Sequence, residues 1–109
     1  MPIATASVTT SAGNVYVSSG NTAITFMSFC NYAASNAAVD VHVVPAGDTA
    51  SNNNVILTGL ELSAAGNGTG DTYQLYSGGE KLLLGNNDSV QVTASVANSV
   101  AVVTSYTTI

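Results

Sequence analysis

The sequence predicts an all-β fold, an antiparallel β-sandwich of jelly-roll type with about eight strands. Apolar and polar residues alternate with a period of two through most of the chain, and no apolar stripe of helical period extends beyond about two turns. Clusters rich in Gly, Asn, Asp and Ser recur at intervals of roughly ten residues. A parallel α/β fold would need helical crossovers, and the pattern contains none.

The individual strand predictions follow from the alternating segments and from the turns that separate them. The predicted strands cover residues 15–18, 23–31, 38–44, 55–63, 72–76, 81–84, 89–96 and 100–108. The turns between them fall at residues 18–21, 45–48, 65–71, 77–79 and 85–88. Residues 1–12 alternate more weakly, and we expect an N-terminal arm or an edge strand there. Residues 1–109 together are expected to form a single sandwich domain.

Alternation also predicts which side chains face the core. In strand 89–96 one face carries the apolar residues Val90, Val92, Ala94 and Val96. Strand 23–31 is apolar on both faces, with Ile24, Phe26 and Cys30 on one and Met27 and Phe29 on the other. Such a strand either is central and covered on both sides or faces a partner, and the covered arrangement is favoured. Residues 88–109 are expected to form a closing hairpin.

The charge composition narrows the classes of partner. Charged residues make up 6% of the chain and the formal net charge is −5, whereas charged residues make up about 25% of typical soluble proteins. One lysine, Lys81, and no arginine leave little to neutralise phosphates, so neither nucleic acid nor an anionic membrane is expected as a partner. No apolar run approaches the ~18 residues of a membrane span, and no secretory signal is recognised. Cys30, the single cysteine, excludes an internal disulfide and favours synthesis in a reducing cytoplasm.

The residues with catalytic potential do not form a recognisable constellation. Asp40 and His42 lie two residues apart on the polar face of strand 38–44, so Asp40 is poorly placed to orient His42 as a general base. One histidine and one cysteine on different strands fall short of the ligands that a zinc site needs. The six carboxylates are spread along the chain, at Asp40, Asp48, Glu61, Asp71, Glu80 and Asp88. We therefore expect no enzymatic activity, no catalytic residues, no metal site and no cofactor.

A glycine-rich loop and a group of tyrosines are the two candidate binding features of the sequence. The loop Gly66-Asn-Gly-Thr-Gly-Asp71 has one carboxylate, which favours a flexible turn over a calcium site. Tyrosine combines a large apolar area with a polar tip and is enriched at interfaces. Between two glycine-rich loops, Tyr73, Gln74 and Tyr76 are the best candidates for subunit contacts, with Tyr16 as a further candidate. Tyr106 is expected to pack within the closing strand instead.

The shortage of charge itself predicts association. An isolated β-sandwich commonly protects its sheet edges with lysine, proline, bulges or covering segments. This chain has one lysine and two prolines for all of its strands. We therefore expect other subunits to cover many edges and faces, in a homo-oligomer or a larger assembly.

Several segments resemble small β-rich structural proteins from the particles of tailed bacteriophages. The resemblance is carried by FCN at 29–31, AVDVHVV at 38–44, NNVIL at 53–57 and DTYQL at 71–75. It is clearest in the last quarter of the chain, where LLLGNNDSVQVTAS at 82–95 is followed by VVTSY at 102–106. The first twenty residues take no part in it.

The resemblance implies a virion protein with a sandwich fold, no enzymatic activity and no cofactor. The position that we expect is capsid decoration (cement), in which the chain bridges capsid subunits and stabilises the shell, with neck, baseplate or tail-fibre positions as alternatives. The expected partners are other copies of the chain, as a trimer, and the major capsid protein. The alternative from another class is a glycan-binding sandwich module that uses the loop around residues 65–76.

Overall fold

A computed structural model of the protein describes residues 3–11, 13–64, 72–75, 81–96 and 99–109. Nine strands form within these ranges, and none of the described residues is helical. The strands are β1 (Ile3–Ser7), β2 (Gly13–Val17), β3 (Thr22–Asn31), β4 (Ala37–Val44), β5 (Val55–Leu62), β6 (Thr72–Leu75), β7 (Leu82–Leu84), β8 (Ser89–Ala94) and β9 (Val100–Thr108). A membrane-spanning helix is accordingly not found in the described ranges.

The strands wind between two antiparallel sheets in jelly-roll order. Sheet A has the order β1-β9-β3-β6, with β7 also paired to β3, and sheet B has the order β2-β8-β4-β5. β6 pairs with Met27–Cys30 of β3 and β7 pairs with Thr22–Ile24, so these short strands share one position at the edge of sheet A. With β6 and β7 counted as one position, the two interleaved sheets have the strand order of a jelly roll. The predicted all-β sandwich is confirmed.

The core lies between the two sheets and is almost entirely aliphatic. Both sheets contribute fully buried apolar side chains: Ile24, Met27 and Phe29 from β3, Val100 and Val102 from β9, Val39 and Val41 from β4, and Val90 and Val92 from β8. Fully burying each side chain of this size stabilises the fold by about 1.5–3 kcal/mol. Since the strands that supply them are far apart in sequence, the core joins nearly the whole chain.

Each of the eight predicted strands has a counterpart in the structure. The ninth strand, β1, lies within residues 1–12, for which the sequence predicted either an N-terminal arm or an edge strand. β1 pairs with β9 over its whole length, from Ile3 opposite Ser105 to Ser7 opposite Ala101. The N-terminal segment is therefore an edge strand of sheet A.

The predicted faces of β3 were wrong at Ile24, because β3 contains a bulge. Its register with β9 shifts between Ile24 and Phe26, and the additional residue Thr25 reverses the alternation. Ile24 therefore shares the buried face with Met27 and Phe29, while Phe26 lies on the outer side of the sheet and is half-buried. β3 is central, as expected, but its outer face carries no third layer of secondary structure in the described part of the chain.

The expected closing hairpin was also wrong. β8 lies in sheet B between β2 and β4, whereas β9 lies in sheet A between β1 and β3. The chain thus passes from sheet B to sheet A between β8 and β9, and these two strands are not paired with each other. Val90, Val92 and Ala94 face the core as predicted, but Val96 lies beyond the end of β8 and is 37% exposed.

Candidate interaction surfaces

The charged residues are divided unequally between the two sheets. None of the residues in β1, β3, β6, β7 and β9, the strands of sheet A, is charged. In sheet B, Asp40 lies in β4 and Glu61 in β5. The other described charges, Asp48, Lys81 and Asp88, lie in connecting segments. Sheet A is therefore the neutral half of an acidic protein.

We call the outer side of sheet A the neutral face. Residues directly opposite each other on antiparallel strands project from the same side of the sheet, so the pairing registers define its members: Ile3, Thr5, Ser7, Ala23, Phe26, Ser28, Cys30, Thr72, Gln74, Leu83, Ala101, Val103, Ser105 and Thr107. Ile3 is 63% exposed, Leu83 66% and Val103 36%. Apolar side chains on three different strands thus reach solvent on a face without charge.

The edges of the two sheets differ in how they are protected. The β2 edge of sheet B contains a bulge between Asn14 and Tyr16. The β5 edge has register shifts opposite β4, and it carries Gly59 at a φ of +67° and the charge of Glu61. The edge formed by β6 and β7 is divided into strands of only four and three residues. Of these four edges, only the β1 edge is a single undivided strand that is both uncharged and in regular register.

Tyr16, one of the residues predicted to contact another subunit, is engaged within the chain. Its ring lies 4.4 Å from the ring of Tyr106, measured between centroids, at an interplanar angle of 41°. Its hydroxyl lies 3.2 Å from Oγ1 of Thr22, which also accepts a hydrogen bond from Ser18 Oγ at 2.8 Å. Tyr106 is partly buried against the core, as the sequence predicted. The tilted pair of rings closes the core where β2 passes over β9.

The other predicted contact residues lie around β6. Tyr73 pairs with Phe29 and is 37% exposed at the edge of the sheet, on the core side. Gln74 pairs with Ser28 and is exposed on the neutral face. The structure therefore places Tyr73 and Gln74 on opposite sides of sheet A, and Tyr16 on the far edge of sheet B. Tyr76 lies outside the described residues.

Asp40 and His42 project from the same side of β4 but hold different segments. Asp40 Oδ1 accepts hydrogen bonds from the N–H of Gly59 at 2.8 Å and from Oγ1 of Thr58 at 3.0 Å. Nδ1 of His42 lies 3.1 Å from the carbonyl oxygen of Ser51 and 3.1 Å from Oδ1 of Asn54. Asp40 thus shapes the neighbouring strand, and His42 anchors the turn that leads into it.

Asp88 is the second carboxylate with an evident structural task. Its Oδ2 accepts a hydrogen bond from the N–H of Gly85 at 2.8 Å, which closes its own turn. Its Oδ1 accepts one from the N–H of Ala46 at 2.9 Å, in the turn that follows β4. Its carbonyl oxygen accepts one from the N–H of Ser18 at 2.8 Å. Hydrogen bonds to Asp88 therefore connect three turns of the sandwich.

The described ranges contain neither a pocket nor a group of three or more metal-ligating side chains. The glycine-rich loop weighed as a calcium or glycan site, residues 65–71, lies outside those ranges. The features that the described surface does present are the neutral face and the β1 edge.

Comparison with protein-family models, with curated proteins and with solved structures found no match to this chain.

The neutral face includes residues that the sequence did not single out as contacts, chiefly Ile3, Leu83 and Val103. The absence of charge from whole strands was the signal that could have found them. That signal became specific only when the sheet order was known, because the five strands of sheet A are interleaved in sequence with those of sheet B.

Proposed function

We propose that this chain is a non-enzymatic structural protein of a tailed-bacteriophage virion, placed on the capsid as a decoration (cement) protein. Its task there is to bridge capsid subunits and to stabilise the shell. It is made in the cytoplasm of the host and works in the particle. Its partners are other copies of itself, for which the resemblance implies a trimer, and the major capsid protein.

The observation that carries this proposal is the neutral face. A chain of formal net charge −5 confines its described charges to the other sheet and to the connecting segments, and it exposes Ile3, Leu83 and Val103 on the uncharged one. Burial of apolar area is favourable by about 25 cal/mol per Å², and a face without charge can be buried without the desolvation penalty of an unpaired ion. This arrangement favours a surface that is covered by another protein.

Two further observations support the same class. Jelly rolls are a recurrent architecture of viral capsid domains, although fold alone does not determine function. The segment that resembles phage structural proteins most clearly, residues 82–106, spans β7, β8 and most of β9. It therefore contributes to both sheets and to the turn held by Asp88. The resemblance lies in the framework of the fold and not in a peripheral loop.

The mechanism follows from rigidity and repetition. Long-range pairing ties β1 to β9 and β3 to β9, so the sandwich resists deformation as a unit. Stable specific interfaces bury about 1,200–2,000 Å² in total, and repetition over a symmetric lattice adds the gain of multivalent attachment. A sandwich seated across a junction between capsid subunits would oppose their separation under internal pressure.

The direct test is cryo-EM of particles from the virus whose genome encodes this chain. Density of this jelly roll at regular positions over the capsid lattice is expected. Density only at the neck, baseplate or tail fibres would move the protein to the alternative position within the same class. Absence of the chain from purified particles, measured by mass spectrometry, would overturn the proposal. A specific glycan-array signal from the purified chain would then favour the glycan-binding alternative.

A further inference from the structure

The β1 edge of sheet A has the features of a pairing edge. Its five residues read Ile-Ala-Thr-Ala-Ser, without charge and without proline. They pair with β9 in unbroken register, so no bulge twists the strand away from a neighbour. The other sheet edges are interrupted by register shifts or are divided into very short strands. Exposed edges without such protection are the places where strands of another chain add to a sheet.

The register shows which backbone groups of β1 point outward. The N–H of Val8 donates to the carbonyl oxygen of Val100 at 2.9 Å, so these residues form a hydrogen-bonded pair. Hydrogen-bonded and non-hydrogen-bonded pairs alternate along an antiparallel ladder. Ala4 and Ala6 therefore direct their N–H and C=O groups towards β9. Ile3, Thr5 and Ser7 direct theirs away from β9.

The pairing on the other side of β9 supports this assignment. The N–H of Tyr32 donates to the carbonyl oxygen of Ser99 at 2.9 Å, where β3 meets β9. By the same alternation, Ala101 and Val103 turn their backbone groups towards β3, and Val100 and Val102 turn theirs towards β1. Within the described part of the chain β1 has no paired strand besides β9.

We propose that β1 pairs with β1 of a second copy of this chain, antiparallel and across a two-fold axis. Self-pairing brings two identical strands side by side, and like charges that come to lie opposite each other are destabilising. A strand without charge meets this requirement. The remaining described charges lie on sheet B or in turns, so two chains of formal net charge −5 approach through their neutral sheets.

A register centred on Thr5 satisfies the outward groups of β1. Thr5 then faces Thr5 of the second copy, and Ile3 faces Ser7 of the second copy. Each outward N–H of these residues meets an outward carbonyl oxygen. Thr–Thr neighbours are a favourable cross-strand pair, and Ala4 and Ala6 are small enough to pass on the other side. The pairing would extend the five-stranded sheet A across both copies and would double the neutral face.

Pairing of five residues on each side is small beside a standard interface of about 1,200–2,000 Å². The dimer is therefore expected to dissociate on dilution. This inference rests on the proposed structural function for its purpose, which is to present a larger neutral face to a capsid. The pairing itself is a property of the purified chain. It is two-fold, and so differs from the trimer expected from the resemblance.

The experiment compares the wild-type chain with two substitutions at one position by sedimentation equilibrium, from low to high micromolar concentration. Thr5→Pro removes the outward N–H, and the proline ring fills the space of the incoming strand without touching the bonds to β9. Thr5→Ala, the matched control, removes the same side chain but keeps the N–H. We expect the wild type and Thr5→Ala to rise from 10.9 kDa to twice that mass. Thr5→Pro is expected to weaken dimerisation by about tenfold or more.

Amide hydrogen exchange of the wild type provides a readout that does not depend on a variant. The amides of Ile3, Thr5 and Ser7 should gain protection as concentration rises, while those of Ala4 and Ala6 are protected throughout. A wild type that stays monomeric, a trimer, or a dimer that Thr5→Pro leaves intact would each overturn the pairing. None of these results bears on whether the chain is found in virions, so failure here is distinguishable from failure of the proposed function.

Discussion

The Asp40 carboxylate accepts a hydrogen bond of 2.8 Å from the backbone N–H of Gly59, at the point where β5 bulges away from regular pairing with β4. Gly59 has a φ of +67°, in the left-handed region that residues with a Cβ rarely adopt. The carboxylate thus takes up a donor that the bulge removes from the ladder. The sequence indicated that Asp40 is poorly placed to orient His42 as a general base, and the observed partners of Asp40 show that it supports the shape of an edge strand.

Substitutions at this bulge should reduce stability. Asp40→Ala removes the acceptor of two hydrogen bonds, for a loss of about 1–2 kcal/mol in the free energy of unfolding. Gly59→Ala places a Cβ in open space, so its cost of about 1–2 kcal/mol arises from the left-handed backbone alone. Urea denaturation measures both. If Asp40→Ala unfolded at the wild-type midpoint, the structural role given to Asp40 would be incorrect.

Asn31 should be among the most sensitive polar positions. It is 1% exposed, and its Nδ2 donates to the carbonyl oxygens of Leu62 and Ser35, each at 2.9 Å. Its Oδ1 accepts from the N–H of Ala33, also at 2.9 Å. Asn31→Ala would remove all three hydrogen bonds and leave the buried carbonyl group of Leu62 unpaired, for a loss of about 2–4 kcal/mol.

The exposed Asn14 offers the matched control for Asn31. Asn14→Ala should change the free energy of unfolding by no more than about 0.5 kcal/mol. Thermal and urea unfolding of both variants would test the contrast. Equal effects at the two positions would mean that the Asn31 bonds between β3 and β5 contribute little.

Two buried threonines should respond to valine with opposite signs. Oγ1 of Thr104 is buried without a hydrogen-bond partner, whereas Oγ1 of Thr22 accepts from Ser18 Oγ at 2.8 Å. Thr104→Val is expected to stabilise by about 0.5–1.5 kcal/mol, because it removes an unpaired polar group at nearly constant shape. Thr22→Val should destabilise by about 1–3 kcal/mol, because it removes the hydroxyl that hydrogen-bonds with Ser18 Oγ and with the hydroxyl of Tyr16. Urea midpoints that shift in the same direction for both variants would contradict this assignment.

If the chain decorates a capsid as proposed, a charge on the neutral face should impair its attachment there. Val103→Lys places an ammonium group in the middle of sheet A, and Val17→Lys places one on the outer side of sheet B, where Val17 is 45% exposed. Both variants should fold, since both positions reach solvent. Binding to particles that lack the protein should be lost for Val103→Lys and kept for Val17→Lys, as measured by co-sedimentation. The reverse result would assign the contact to sheet B.

The strands could be predicted from the sequence because each depends on local information. Val90, Val92 and Ala94 alternate with polar residues and face the core as predicted. The error at Ile24 has a tertiary cause, because the bulge at Thr25 is visible only as a shift in the pairing with β9. The prediction of a closing hairpin was wrong for a related reason. A reversal at residues 97–99 looks alike whether the next strand pairs with the last one or crosses to the other sheet.

The candidate contact surface was less accessible to sequence reasoning. Tyrosines were chosen for their chemistry, yet Tyr16 is occupied by Tyr106 and Thr22 inside the chain. Ile3, Leu83 and Val103 come from three separate segments and share one face only through the sheet order. The shortage of charge predicted that some surface would be covered without indicating which one.

The all-β class, nearly every strand and the acidic, charge-poor character could be predicted from the sequence alone, because alternation, turn residues and net charge are local or additive properties. Only the folded chain shows that strands distant in sequence form one sheet without charge, and that β1 lies at its edge with the backbone groups of Thr5 directed outward. These two features depend on pairing order and register, which are set by packing between distant segments such as those of Ile3 and Ser105. Composition does not specify the pairing order or the register of the strands, because both depend on contacts between distant segments.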